Sequence, residues 1–385
     1  MEQLKKLFSY WPVTGIIGPR QCGKTTLAKL LLPNGRDYTF DDAEIREEAV
    51  GSIKTFVARL GTPALIDEVQ KVPAIFDELK RVVDKKKLPG SYLITGSTSF
   101  SDQVGIRESL TGRIGILELH PLNFAERNQL PVRPAQFLEP WKGLKPRVSA
   151  EKISQDLALG GMPVPAFARS DEQRNLYWTS WLETTLYRDL GRVLKKNYDA
   201  EIAFSLVRQM GKVLADGELP TLKHFKEPAS TVRRYLSGME TIFLLYRHRC
   251  HPSGIGKEAW QFMDAGLSAF LMKKVMGEGA TLTLVRHFLW NEWRCLHSYA
   301  GNRIDACYYK SAQGSPVDYI VEDIPIRIVS SLSQMQKRLS WEERSIRGAM
   351  KKLKSPYGML VGPIENFVPP KENDGVALVP WGGWS

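Results

Sequence analysis

Apolar positions follow two rhythms in the first third of the chain. Short apolar runs at Val13 to Gly18, at Ala64 to Ile66 and within "SYLITGSTS" predict buried strands. After Lys24 the apolar residues Leu27, Leu30 and Leu31 fall at helical spacing. Strands alternating with helices predict an α/β fold with a parallel sheet flanked by helices. Beyond residue 150 the rhythm becomes mostly helical. Leu176, Trp181, Leu182, Leu186 and Leu190 can share one broad stripe of a helix. Helical patterns follow at "AFSLVRQMGKVLADG", "PTLKHFK" and "ASTVRRYLSGMETIF", with Ser230 placed to cap the third, and a strand is expected from Ile242. The last block predicts a helix at "LVRHFLWNEWRCL" and strands at "IDACYYK", "PVDYIVED" and "IPIRIVSS". A closing strand, "GVALVPWGGWS", carries aromatics at its end.

The stretch "GPRQCGKTT" fits G-x-x-x-x-G-K-[ST] and sits between a predicted strand and a predicted helix, the context such a phosphate loop requires. Gly18, Pro19, Arg20, Gln21, Cys22, Gly23, Lys24, Thr25 and Thr26 are therefore the candidate nucleotide-binding residues. Glycines let the backbone curl so that its N–H groups face phosphates, and the helix N-terminus adds positive potential. Lys24 would reach the terminal phosphates, and the Thr25 hydroxyl would ligate magnesium. The next strand ends in Asp67 and Glu68. Carboxylates there lie at the edge of an open sheet where ligands bind, so Asp67 is a candidate metal residue and Glu68 a candidate base for an attacking water. Ser97, with Thr95 and Thr98, ends the third strand, where a hydroxyl would touch the γ-phosphate or the water. Arg113 follows Gly112 before another strand. It is a candidate for stabilising transition-state charge, in its own site or a neighbouring subunit's, against the plain alternative of a surface arginine. Asp41 and Asp42 would cap a helix or face the site, with capping favoured.

In order along the chain, "GPRQCGKTT", "YTFDDAEIRE", "ALIDEVQKVPAIFDELK", "SYLITGSTS", "ESLTGRIGILELHPLNFAE" and "LGGMPVPAF" resemble a prokaryotic AAA-type ATPase family. In that family the ATPase core is joined to a C-terminal half of unknown function. The resemblance implies ATP with Mg²⁺, and it supports Lys24, Thr25, Asp67 and Glu68 in the roles above. Cys22 stands where the family more often has a small aliphatic residue, but its backbone N–H serves equally. The resemblance implies four parts: an ATPase core over 1–130, a linker and helical lid over 131–200, a winged helix over 201–275, and a restriction-endonuclease-like domain over 276–385. In the lid, Arg188 would sense the γ-phosphate or pair with Asp189. In the last part Glu292 and Asp318 match two acidic positions of active nucleases. The E-x-K that should follow is replaced by Arg327, Ile328 and Val329, so a nuclease fold without cleavage is expected.

Charge narrows the partners. Of 385 residues, 53 are Lys or Arg and 42 Asp or Glu, a net charge of +11 that invites a polyanion, nucleic acid above membrane. If the winged helix binds double-stranded DNA, Arg233, Arg234, Arg247 and Arg249 would meet it; packing on the ATPase or on a protein is the equal alternative. Four cysteines without a C-x-x-C pair suggest no zinc site and a reducing compartment, and no long apolar span is present. A cytoplasmic protein is expected. The expected function is ATP hydrolysis coupled to a DNA or protein partner, with a homo-oligomer if Arg113 acts in trans. The alternative is a nucleotide-gated scaffold with little turnover.

Overall fold

In the computed structural model the first apolar run is a fully buried strand, β1 (Val13–Ile17). The structure describes all residues except 100–109, 132–138, 143–144, 273–277, 303, 305, 311–315, 371–374 and 385. Residues 132–138 and 143–144 of the linker expected from 131 and part of "ESLTG" thus lie outside the described residues. The chain forms two units. One comprises Met1–His120 with Thr241–Phe243 and Ser298–Gly301, and the other comprises the rest.

The first unit runs α1 (Glu2–Tyr10), β1, α2 (Lys24–Leu31), β2 (Arg36–Thr39), α3 (Ala43–Gly51), α4 (Ile53–Leu60), β3 (Ala64–Asp67), α5 (Ile75–Lys85), β4 (Tyr92–Gly96) and β5 (Ile114–Glu118). Its sheet has the order β2-β3-β4-β1-β5, and every pairing is parallel. Val13, Ile17, Ile66 and Ile94 pack with Phe56, Leu60, Ile75 and Leu79, while Ile16, Leu65, Leu93 and Leu117 pack with Leu4 and Ala28. A sheet covered on both faces needs apolar residues at every position, which is why these strands read as continuous runs. Asp42 caps α3, accepting from the backbone N–H groups of Glu44 (2.8 Å) and Ile45 (3.3 Å), while Asp41 pairs with Lys71.

The second unit begins with α6 (Phe124–Arg127), α7 (Ala150–Asp156), α8 (Pro163–Ala166) and α9 (Asp171–Thr184), which continues through a π-helical turn, Thr185–Leu190, into α10 (Gly191–Leu194). Leu176 departs from the expected stripe: it is 66% exposed, and Trp178 takes the buried place beside Trp181, Leu182, Leu186 and Leu190. Position 176 lies about 200° around the helix from 178, so both cannot face inward. Then come α11 (Ala200–Ala215), α12 (Ala229–Thr241), β6 (Leu245–Cys250), β7 (Ala259–Phe262), α13 (Ala265–Met272) and α14 (Glu278–Ala300). The helix expected at "PTLKHFK" is a single 3₁₀ turn, Leu222–His224, because Thr221 bridges to Ala259 and donates its N–H to His224 Nδ1 at 3.0 Å. Ser230 lies inside α12 rather than capping it, and the strand starts at Leu245 because Phe243 turns the chain at φ +58°.

The chain ends with β8 (Ala306–Lys310), β9 (Pro316–Val321), β10 (Ile324–Ile328), α15 (Leu332–Leu353), β11 (Tyr357–Gly362) and β12 (Gly375–Pro380). One sheet of order β12-β11-β10-β9-β8-β6-β7 joins β6 to β8 in parallel, so the hairpin β6–β7 and the terminal strands share a hydrogen-bonded array. Ile346, Ala349, Met350 and Leu353 of α15 cover it. The aromatic tail packs as expected: Trp384 lies edge-on to Trp293 at 5.4 Å, and Trp381 Nε1 donates to the Val329 carbonyl at 3.1 Å.

The two acids at nuclease-like positions have separate environments. Asp318 accepts from Arg286, from Arg327 Nη1 at 3.1 Å and from the Ile328 N–H at 2.7 Å, and Arg327 Nε also donates to Glu342 at 2.6 Å. Burial works against the Asp318 carboxylate, but the two guanidiniums and the N–H outweigh it and hold its pKa below the usual range. Glu292 is 3% exposed and accepts the Phe124 N–H at 2.7 Å. Burial pushes its pKa up from 4.5 to about 8. Between those two values the unfolded chain has released a proton that the folded chain keeps, so stability must fall as pH rises through that window. Glu292→Gln retains an acceptor for Phe124 N–H and removes the titration. Urea unfolding across the range from 4.5 to about 8 should show a flatter pH dependence in the variant, and greater stability than the parent at the alkaline end.

Candidate functional site

Parallel register sets the C-terminal ends of β1, β3 and β4 side by side. Gly18 leaves β1 at φ +152°, and a Cβ there would lie 2.2 Å from the Leu119 carbonyl oxygen, so only glycine fits. Gln21 (φ +63°) and Gly23 (φ +105°) complete the curl that turns the loop into the N-terminus of α2. Pro19, Arg20, Gln21 and Cys22 lie on this loop, and Thr26 is exposed in the first turn of α2. The Cys22 thiol is buried, approaches the Leu119 carbonyl at 3.6 Å, and has its pKa raised by burial; it packs beneath the loop as a neutral group.

Lys24 is 4% exposed, and its ammonium donates to the loop's own carbonyls, Gly18 O at 3.1 Å and Pro19 O at 2.7 Å. Thr25 Oγ1 donates to Asp67 Oδ1 at 3.0 Å, with Oδ2 at 3.2 Å. Thr95 Oγ1 also donates to Asp67 Oδ1, and Thr39 Oγ1 reaches Oδ2 at 3.5 Å. Glu68 turns out of β3 at φ +59°, its N–H bonded to Thr95 Oγ1 at 3.2 Å. A 3₁₀ turn, Val69–Lys71, folds Gln70 back so that its amide donates to Glu68 Oε2 and to Ser97 Oγ (2.9 Å), while Ser97 Oγ lies 3.4 Å from Glu68 Oε2. Hydroxyl and carboxylate oxygens gathered at Thr25 and Asp67 suit Mg²⁺, a hard ion that takes one or two protein oxygens and keeps several waters.

The structure thus brings the loop, Lys24, Thr25, Asp67, Glu68 and Ser97 to one edge. It does not bring Arg113 there. Arg113 precedes β5, and its carbonyl accepts from Val13 N at the opening of β1, the opposite edge of the sheet from the loop. Its guanidinium binds Asp84 at 2.5 and 3.0 Å, holding the Asp84 carboxyl below its usual range. Gln70 and Thr39 were not anticipated. Their roles depend on a turn and on a strand pairing that spacing alone does not reveal.

Arg233, Arg234, Arg247 and Arg249 are all exposed in the second unit. Two of them are already paired with acids: Arg233 with Glu258 at 3.5 Å, and Arg247 with Glu240 at 2.7 Å and Glu258 at 3.3 Å. Arg234 lies over the Tyr235 ring. Among the described residues no group of 3 or more His, Cys, Asp or Glu is placed to hold a metal ion, and no helix is long and apolar enough to cross a membrane.

A five-stranded parallel sheet with a phosphate loop after its first strand and an Asp–Glu pair ending its third is a P-loop NTPase core. Residues 10–128 match the model of the AAA domain family, so this part of the chain is similar to AAA domains. An uncharacterised protein of Mycobacterium tuberculosis and one of Mycobacterium bovis are each 29% identical over 262 residues, covering 66% of this chain and 54% of the relative. The chain spans about half the length of the curated relatives it matches. Among solved structures, the Walker-type ATPase of Pyrococcus abyssi aligns with TM-score 0.39 and 12% identity over 70% of this chain and 93% of that one. A STAND protein with a tetratricopeptide repeat sensor from Pyrococcus horikoshii aligns with TM-score 0.23 and 15% identity over 91% and 52%.

The steric case for Gly18 is testable. Gly18→Ala meets both the positive φ and the Leu119 carbonyl, and it should lower the stability of the first unit by about 3 kcal/mol and abolish nucleotide binding. Thermal unfolding and a fluorescent-nucleotide titration check this.

Proposed function

We propose that this protein hydrolyses ATP and couples its nucleotide state to a DNA or protein partner through its C-terminal half. The convergence of Thr25, Asp67 and Glu68 on one sheet edge carries the reading. A protein that only binds nucleotide needs the loop and a metal residue, but not a second carboxylate beside the metal position. Lys24 leaves the Gly18 and Pro19 carbonyls and moves onto the β- and γ-phosphates, where its charge offsets theirs. Thr25 and Asp67 would hold Mg²⁺. When bound, the metal neutralises phosphate charge. Glu68 orients the attacking water and accepts its proton. Gln70 and Ser97 fix one oxygen of that carboxylate and leave the other for the water. Arg113 lies at the far edge of its own sheet and pairs with Asp84, so it is either a surface arginine or one that serves a neighbouring subunit's site, which would require a homo-oligomer.

The C-terminal half is read as a winged helix followed by a nuclease-like domain that does not cleave. Arg327 supports this, because a guanidinium bonded to Asp318 and Glu342 fills the position where active nucleases carry a metal-binding acid. A metal ion there would have to displace a buried cation. The second reading is a nucleotide-gated scaffold with slow turnover, favoured by the Gln70 amide that already engages Glu68 Oε2.

Two substitutions separate the readings. Lys24→Ala should abolish ATP binding in a filter or fluorescence titration. Glu68→Gln should leave ATP affinity unchanged and slow steady-state phosphate release about 100-fold or more. Wild-type turnover no faster than the Glu68→Gln rate would favour the scaffold.

A further inference from the structure

The inward residues of α15, Ile346, Ala349 and Met350, are buried against the sheet of the second unit. Its outward positions from the middle to the end are Arg344, Arg347, Gly348, Lys351 and Lys352, with Lys354 in the turn just past its end at φ +56°, and all are exposed except the half-buried Arg347. From Arg344 to Lys354 the sequence "RSIRGAMKKLK" holds five cations and no acid. A surface groove of about 590 Å³ runs here, lined by Arg347, Gly348, Met350, Lys351, Lys354 and Ser355.

The ordinary explanation for lysines at a helix end is the helix dipole. That effect fades within the last turn. It can account for Lys351 and Lys352, but not for Arg347 one turn earlier or Arg344 two turns earlier. Gly348 is also unexplained by folding. A glycine inside a helix costs about 1 kcal/mol relative to alanine, yet a Cβ at Gly348 would meet nothing within 4 Å. Packing does not require the glycine; the close approach of something from outside would.

We propose that the outward face of α15 from Arg344 to Lys354 docks the phosphate backbone of double-stranded DNA. The helical part of the row, Arg344 to Lys352, is about 12 Å long and straight, and a duplex presents a rigid row of anions that needs no ordering on binding. An acidic polypeptide would have to be ordered first. A protein surface would also want apolar side chains at its centre, and this outward row carries none. A single strand would want rings to stack on. The nearest exposed ring, Trp341, lies a turn before Arg344 and beside the Arg327 guanidinium. The proposal is independent of ATP hydrolysis.

The test is fluorescence anisotropy of a labelled duplex against the full chain over a series of salt concentrations. The triple variant Arg347→Gln, Lys351→Gln, Lys354→Gln should weaken binding at least tenfold and reduce the slope of log affinity against log salt by about 2 to 3. Arg233→Gln with Arg247→Gln should bind as the parent does. Gly348→Leu, which keeps every charge but fills the groove, should also weaken binding, with thermal unfolding used to confirm that each variant is folded. The proposal fails if the parent does not bind duplex at low salt, if the triple variant keeps the parent's affinity and slope, or if polyglutamate competes as well as unlabelled duplex.

Discussion

The Asp67 carboxylate is the point at which the first unit's architecture becomes chemistry. Thr25 from the helix after β1, Thr39 from β2 and Thr95 from β4 all direct hydroxyls to it. Such a gathering is possible only because the strands run parallel and end together. Each hydroxyl satisfies a lone pair that burial would otherwise leave costly, since a buried carboxylate without partners loses its hydration with no return. The cluster is therefore both a structural junction of strands and a set of oxygens suited to a divalent cation.

The second unit treats a comparable carboxylate in the opposite way. Asp318 is enclosed by two arginines, one of them shared with Glu342. Inside a protein such a pair contributes little net stability compared with apolar packing, yet removing one partner is costly. The cation is built into the fold. One half of the chain surrounds a carboxylate with neutral hydroxyls, while the other encloses its carboxylate with protein charge.

Some of this was legible in the residues themselves. The phosphate loop was readable because its needs are local: glycine where φ is positive, a lysine and a threonine at the start of a helix. Asp42 was readable as a cap because a cap acts within three residues. The buried strands were readable because a two-sided sheet demands unbroken apolar runs. The misplacement of Leu176 and the helix expected at Leu222–His224 came from treating local pattern as sufficient. In the first case helical phase chose Trp178 instead, and in the second a bridge from Thr221 to Ala259 took the backbone first.

The sequence by itself determined that a glycine-rich G-x-x-x-x-G-K-[ST] loop opens a helix, that two acids follow at a strand end, and that Arg327, Ile328 and Val329 follow Asp318 where an E-x-K was sought. These are properties of residue type and spacing. Only the tertiary structure decided that Gln70 and Ser97 hold Glu68, that Arg113 sits at the sheet edge away from the loop with Asp84, that Asp318 faces Arg286 and Arg327, and that the cations of α15 line one outward face. Each depends on which elements lie side by side. Sequence spacing does not encode that when the partners are tens of residues apart, because strand pairing and helix packing set the neighbours.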